Sequence, residues 1–427
     1  MKCRNCNRKK FIKIIKIGSQ PISSRSYKKP TKLKEYPLDL FICEHCDLVQ
    51  LSRVAPAKEM YGDTYGYWTG LSNLMINHMW KKAKFLKQKG KLKKNAKVLD
   101  IGSSDPTFLS LLKQKEKSLK LFAVDPSSAK FQKSFNKKKI NLIVDYFSKK
   151  IVDKYSASNN LGNDKFSVIS SFAMFYDIND PNSFCKDVYN MLDDNGIWIV
   201  EFSYLPLLLK NLTFDQINHE HVTYYSLTTF NNILKKNKLK MLDVNFNDIN
   251  GGSAEVIVSK ISSKQKINSK TLNNVISKEK EINFQSYKNF NLRLENVKTV
   301  INHFFDVCKN KKIVGYGAST KGNIILNHSK ITSKKLKMIC DDNEQKWGRY
   351  TPGSNIKIIS KEKMRRLKPD FLFVLIWSFR SEVIRQEIKF LKRGGKLVFP
   401  LPIFHIIDKY NYRNFLNEKL ETLGYNI

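Results

Sequence analysis

Residues Val98-Leu-Asp-Ile-Gly-Ser-Ser-Asp-Pro-Thr-Phe-Leu109 run from an apolar stretch through a tight glycine turn into an amphipathic segment. That order predicts a buried strand, a turn and a helix. Downstream, Phe122-Ala-Val-Asp-Pro126 is a second apolar run closed by an acidic residue. Similar short runs follow at Leu142–Val144, Ser167–Ser170 and Gly196–Glu201, spaced by longer amphipathic segments. Strands alternating with helices indicate a parallel, doubly wound α/β sheet, with Met241–Phe246 and Ala254–Ser259 as candidates to extend its edge.

In such a sheet, ligands bind at the carboxyl ends of the strands, and an acidic residue ending the second strand suits the hydroxyls of a ribose. Asp125 stands there. The turn lacks the further glycines that let a pyrophosphate approach a helix. A nucleoside-type cofactor without phosphates therefore fits better than a nicotinamide dinucleotide, and S-adenosylmethionine is the expected donor. Its site is expected to comprise Asp100, Gly102 and Asp125, with Asp145 and Tyr146 after the third strand and Ser171 at the end of the fourth.

Upstream, Cys3-x-x-Cys6 and Cys43-x-x-Cys46 form two CxxC pairs. Each turn brings two thiolates to one ion, and two turns complete a tetrahedral, closed zinc shell, so Cys3, Cys6, Cys43 and Cys46 are the expected ligands of a structural Zn²⁺. His45, inside the second turn, is a weaker alternative. The other cysteines, Cys185, Cys308 and Cys340, lie in apolar surroundings. An odd total of seven argues against a disulfide framework.

Four units are expected along the 427 residues. A zinc-binding domain spans 1–57, a methyltransferase-type α/β domain with a preceding helix spans 58–261, linking helices span 262–310, and a C-terminal α/β domain spans 311–427. The last begins with Gly315-Tyr-Gly-Ala-Ser-Thr-Lys-Gly322 after an apolar strand, a turn whose backbone N–H groups and helix N-terminus suit an anion.

The formal charge of +38 comes from Lys spread along the whole chain rather than gathered on one face. That pattern speaks for solvated positions and not for a nucleic-acid groove, although it favours anionic substrates by steering. No apolar run approaches the roughly 18–20 residues that span a bilayer, and the N-terminus lacks the apolar middle of a signal peptide. A cytoplasmic protein is expected, without membrane or nucleic-acid partners, as a monomer or weak homodimer.

Five motifs, in order, resemble the zinc-containing, S-adenosylmethionine-dependent sugar C-methyltransferases of deoxysugar pathways. They are the paired CxxC domain with the Asp-Ile-Gly-Ser turn, Phe214-Asp-Gln-Ile-Asn-His-Glu-His-Val-Thr-Tyr-Tyr-Ser226, Asn250-Gly-Gly-Ser253, the 315–322 turn, and Asp341-Asp-Asn-Glu-Gln-Lys-Trp-Gly-Arg-Tyr-Thr-Pro-Gly353. The resemblance covers nearly the whole chain. It implies methyl transfer to carbon of a nucleotide-linked keto sugar bound between the methyltransferase and C-terminal domains.

To methylate carbon, a base removes a proton acidified by a neighbouring carbonyl, and a donor stabilises the resulting oxyanion. The resemblance implies His221 as base and Glu220 as its partner. Tyr65 and Tyr67 are expected to cap the sugar pocket as part of the catalytic set, with His219 and Tyr224 at the substrate. Ser319, Lys321 and Arg349 are expected near its diphosphate. The chain departs from the family at Pro106, where the turn usually has Gly. It also has Asp177 and Asn218 where some relatives carry His and Tyr. Competing readings are an RNA or protein methyltransferase gripping its target with the zinc domain, a nicotinamide enzyme built on residues 311–427 with Asp341 at the ribose, and a scaffold with decayed sites.

Overall fold

The computed structural model describes residues 1–60, 68–162 and 165–418. Near the N-terminus lie β1 (Phe11–Ile15), β2 (Ser19–Pro21), β3 (Glu35–Pro37), β4 (Leu40–Cys43) and β5 (Val49–Leu51). The central sheet is built from β6 (Lys97–Ile101), β7 (Lys120–Val124), β8 (Asn141–Ile143), β9 (Phe166–Phe172) and β10 (Leu192–Ser203). A two-residue strand, β11 (Thr223–Tyr224), precedes β12 (Leu239–Asn247) and β13 (Ser253–Lys260). The C-terminal strands are β14 (Ile313–Tyr316), β15 (Met338–Cys340), β16 (Lys357–Ile359), β17 (Phe371–Val374), β18 (Lys396–Phe399) and β19 (His405–Ile407).

The central sheet runs in the order β12-β13-β10-β9-β6-β7-β8. Strands β6 to β10 are parallel, and β13 is antiparallel to both β10 and β12. The predicted edge runs thus form a hairpin on the β10 side. Every residue of β6 is buried, as a strand covered by helices on both faces requires. The helix Asn73–Gln88 packs beside the helix Thr107–Lys115, and Leu86, Leu109 and Leu112 share one apolar cluster. An ion cluster pins the first of these helices to the sheet. Lys82 Nζ lies 2.6 Å from Glu201 and also contacts Glu255, while His78 Nε2 and Asn247 Nδ2 reach the same Glu201 carboxylate at 3.0 and 2.9 Å. Glu201 is fully buried, which opposes its ionisation; Lys82 and His78 outweigh that and hold it well below the usual carboxylate range.

Between the two sheets lie helices Ser269–Glu279 and Phe284–Val307, both opened by Asn caps. The C-terminal sheet has the order β16-β15-β14-β17-β18-β19, parallel except for β19. Its chain order reverses between β14 and β17, and that switch point is where a doubly wound sheet opens a ligand crevice.

The N-terminal sheet was legible only in part. Its order is β1-β4-β5-β11, so Thr223 and Tyr224, from the middle of the chain, complete it. Beside it β2 and β3 pair as a separate hairpin.

Candidate active site

Strand β6 delivers the donor turn. Gly102 has φ +72°, and a Cβ there would lie 2.8 Å from Met174 Cγ, so the turn approaches the β9 loop as closely as glycine allows. Asp105 caps the following helix by accepting Thr107 N–H at 2.9 Å, and its other oxygen accepts Gly70 N–H at 2.7 Å. Pro106 sits just ahead of that helix, where its missing N–H breaks no helical bond.

Asp125 ends β7 as expected. One oxygen accepts Ser104 N–H at 2.8 Å, and the other accepts both the N–H and the hydroxyl of Ser127 at 2.6 Å. Asp100 accepts the Ser170 hydroxyl at 2.6 Å. Burial pushes its carboxyl up to about 7, against that hydrogen bond and reinforced by Asp125 and Asp105. The carboxylates around the turn favour a cofactor carrying positive charge. The Ser103 hydroxyl, buried and without a protein partner, offers a further polar contact. These groups fit S-adenosylmethionine. Asp145 and Tyr146 follow β8 and are exposed. Ser171 requires a correction. It is fully buried, and its hydroxyl accepts the Trp198 indole N–H at 2.9 Å, so it belongs to the core rather than to the donor groove.

The carboxyl ends of the central and C-terminal sheets face one cavity of about 300 Å³. Ala173 and Asp177 reach it from beyond β9, Ser319 and Lys321 from beyond β14, and Glu220 and His221 from the 214–221 segment. His221 is 6% exposed. Its Nδ1 has no protein partner, and its ring packs against Tyr176 with centroids 4.0 Å apart. Burial, with the nearby Lys321 charge, drives it down to about 3, so the imidazole is neutral and able to accept a proton.

The segment around His221 is tightly held. Tyr224 donates its hydroxyl to the His221 carbonyl at 3.0 Å. Val222 N–H reaches the Tyr176 carbonyl at 2.9 Å, while the Val222 carbonyl accepts Leu51 N–H at 3.0 Å. Tyr224 is absent from the cavity wall and instead holds the His221 backbone. His219 is also off the wall; its Nε2 lies 3.1 Å from the Gln20 carbonyl, joining this segment to the β2 hairpin. Tyr65 and Tyr67 lie outside the described residues.

A cluster that sequence reasoning missed surrounds Lys321. The residue is partly exposed to the cavity that it lines, while its ammonium is enclosed and donates to Asn250 Oδ1 at 2.5 Å. Burial brings it down to about 8, against the pull of Asp215 and Glu220. Asp215 accepts the Trp377 indole N–H at 2.8 Å across the domain boundary, and its second oxygen is buried without a partner. Gly251, at φ +83°, lets the indole in, since a Cβ there would meet Trp377 at 2.6 Å. The Asn-Gly-Gly motif was therefore a signal for close packing, visible before its partner was. Ser319 accepts Gly322 N–H and so caps the helix Thr320–His328. Arg349 is not on the wall; its guanidinium donates to the Ser26 carbonyl at 3.4 Å.

The four N-terminal cysteines come together as expected, with all four Sγ atoms within 4.8 Å of one another. Asn7 and Asp47, each just after the second cysteine of its pair, have φ of 61° and 56°. Their N–H groups bond back to Cys3 and Cys43 at 2.9 and 3.0 Å. Two matching knuckles thus present four thiolates, the donor set of a structural zinc site. His45 is exposed and outside the cluster.

Donor turn, sheet order and thiolate cluster define an S-adenosylmethionine-dependent methyltransferase with a zinc-binding domain. Comparison with known proteins narrows this. Family models match residues 3–61 as a zinc binding domain, 77–244 as a methyltransferase domain and 248–402 as a C-methyltransferase C-terminal domain. The three matches follow one another along the chain in that order. It is similar to the C-methyltransferase NovU of Streptomyces niveus, 26% identical over 414 residues, covering 95% of this chain and 96% of that protein. Among solved structures, an S-adenosylmethionine-dependent methyltransferase from Clostridium acetobutylicum is 16% identical, covering 43% of this chain and 91% of the other at a TM-score of 0.32. The magnesium protoporphyrin IX methyltransferase of Synechocystis is 11% identical, covering 44% and 82% at a TM-score of 0.32.

Proposed function

We propose that this C-methyltransferase acts on a nucleotide-linked keto sugar, taking a proton from the carbon beside the carbonyl and placing a methyl group there. The observation that carries the reading is the unpartnered Nδ1 of a neutral, buried His221 on the wall of a cavity shared with a nucleotide-type crevice. S-adenosylmethionine, when bound, supplies an electrophilic methyl group. The chain's own residues supply the acid–base chemistry. His221 accepts the carbon-bound proton. The charge that develops on the carbonyl oxygen then lowers the cost of forming a buried imidazolium beside it.

In this reading Lys321 serves the acceptor carbonyl rather than the diphosphate expected of it. It lines the same cavity as His221, and its charge acts on His221 and Glu220. There it suits the carbonyl oxygen, where positive charge counts most as the enolate forms. Glu220, on the same wall, favours the charged form of Lys321. As the carbon–methyl bond forms, the carbonyl is restored, and the proton on His221 passes to solvent.

The test is incubation of the zinc-loaded protein with labelled S-adenosylmethionine and a panel of nucleotide-linked 4-keto-6-deoxyhexoses. The expected product gains one methyl on carbon, next to the carbonyl. Transfer to an RNA or protein fraction, with none of the sugars accepted, would overturn the reading and favour a macromolecular acceptor.

A further inference from the structure

We infer that Tyr176 is a positioning residue for methyl transfer, offering the face of its ring to the cation that His221 becomes on taking the substrate's proton. The inference rests on the reading of His221 as the base, and it names a group that makes so buried a base workable.

The fold delivers Tyr176 to this place. It lies in the short turn Phe175–Asp177 that follows β9, at the carboxyl end of the central sheet. Its neighbour Phe175 anchors that turn, with ring centroids 5.5 Å from Trp198 and 5.4 Å from Phe230 in the core. The Tyr176 carbonyl accepts Val222 N–H at 2.9 Å and the Thr223 hydroxyl at 3.2 Å. One residue thus holds the chain just past His221 with its backbone and meets the imidazole with its ring.

The ring contact is unusually close. The centroids are 4.0 Å apart at an interplanar angle of 47°, inside the roughly 4.5–7 Å of offset or edge-on pairs. The imidazole therefore overlaps the phenol face, where the π quadrupole is negative. A cation within about 6 Å of such a centroid is attracted, and more strongly where water is excluded. Both residues line the cavity and are buried, at 4% and 6% exposure.

A proton arriving on His221 needs a partner of this kind. Burial opposes the imidazolium, as does Lys321 from the helix after β14, while the Gln216 carbonyl favours it. Glu220, beside His221 in the chain, and Asp215 act on Lys321. Asp177, beside Tyr176, acts on Tyr224, whose hydroxyl donates to the His221 carbonyl. As the carbon–hydrogen bond breaks, its electron pair moves towards the carbonyl oxygen and the proton passes to the imidazole. Positive charge appears on His221 only once that step begins. An attraction felt by the cation and not by the neutral ring lowers the barrier without tightening substrate binding.

The test follows deuterium uptake beside the carbonyl of a dTDP-linked 4-keto-6-deoxyhexose in D₂O, with the zinc-loaded full chain and S-adenosylhomocysteine. Tyr176→Leu is expected to slow exchange at saturating sugar about tenfold or more, with the half-saturating sugar concentration and S-adenosylhomocysteine affinity unchanged. Tyr176→Phe, which keeps the π face, should restore most of that loss. Because leucine also alters packing, mono-, di- and trifluorophenylalanine at position 176 supply the decisive series: they keep the shape of phenylalanine and drain charge from its face. Exchange should fall stepwise along it. A flat series, or Tyr176→Leu within twofold of wild type, would overturn the inference and leave His221 standing as the base. Exchange at the wild-type rate in His221→Ala, or none in wild type, would remove the reading of the base and this role with it.

Discussion

Thr223, two residues past His221, pairs in antiparallel register with Gln50 of the N-terminal sheet. Gln50 in turn accepts Arg4 N–H at 3.0 Å and donates to the Lys2 carbonyl at 3.2 Å, on either side of Cys3. The first cysteine knuckle is therefore two contacts away from the strand that follows His221. The N-terminal unit is thus tied by backbone pairing to the segment that carries His221.

Zinc removal should consequently act on acceptor chemistry before donor binding. Chelation, or Cys43→Ser, is expected to lower methyl transfer at least about tenfold, since a small loss of geometry at a base is costly. S-adenosylhomocysteine affinity should stay close to wild type, because Asp125 and Gly102 rest on a different sheet. Calorimetry beside metal analysis checks this; parallel loss of both would show that the zinc unit supports the whole fold.

Gly102→Ala should weaken the donor. The added methyl meets Met174 and also disfavours the positive φ, at a cost of about 1–3 kcal/mol. Because the strained turn is the donor turn itself, S-adenosylhomocysteine affinity is expected to fall about tenfold, with a smaller change in thermal stability. Unchanged affinity would place the donor elsewhere.

The cross-domain pair Asp215–Trp377 predicts a pH signature. Burial raises the Asp215 carboxyl to about 6, against Lys321 and the Trp377 indole. In the unfolded chain it titrates near its ordinary 3.8. Between these values the folded protein binds more protons, so this group's stability contribution is complete below about 3.8 and is lost as pH rises through about 6. Asp215→Asn should remove that component, read as a smaller fall in melting temperature between pH 4 and 6.5 than wild type shows. An identical profile in the variant would assign the slope to other groups.

Trp377→Phe tests the same contact without changing a charge. It leaves a buried carboxylate oxygen without its 2.8 Å donor and should destabilise the protein by about 1–3 kcal/mol. A melting temperature unchanged from wild type would mean that the interface has another way to satisfy Asp215.

What was legible in the sequence had a short-range signature. The CxxC pairs name all four thiolates, and the apolar alternation from Lys97 onward foretells both doubly wound sheets. The 262–310 segment, whose spaced apolar positions suggest one or two connecting helices, holds Ser269–Glu279 and the longer Phe284–Val307. What was not legible depends on register between distant segments. Strand β11 is two residues long and has no periodicity, so nothing in Thr223–Tyr224 reveals its pairing with β5. Ser171 was misplaced because β9 is buried on both faces, which erases the alternation that would separate groove from core. Lys82 is hidden by a Lys-rich composition, although it crosses from a helix to both Glu201 and Glu255. Arg349 was expected at the substrate's diphosphate and instead donates to the Ser26 carbonyl at 3.4 Å, in a segment without a recognisable motif.

The most direct test of the account is proton exchange at carbon. A nucleotide-linked 4-keto-6-deoxyhexose is incubated in D₂O with the protein and S-adenosylhomocysteine, and deuterium beside the carbonyl is followed by NMR. Wild type is predicted to exchange that proton, and His221→Ala to slow the exchange about 10²–10⁴-fold while keeping S-adenosylhomocysteine affinity. Exchange at the wild-type rate in His221→Ala would contradict the assignment of the base, and absence of exchange in wild type would contradict enolate chemistry on this substrate class.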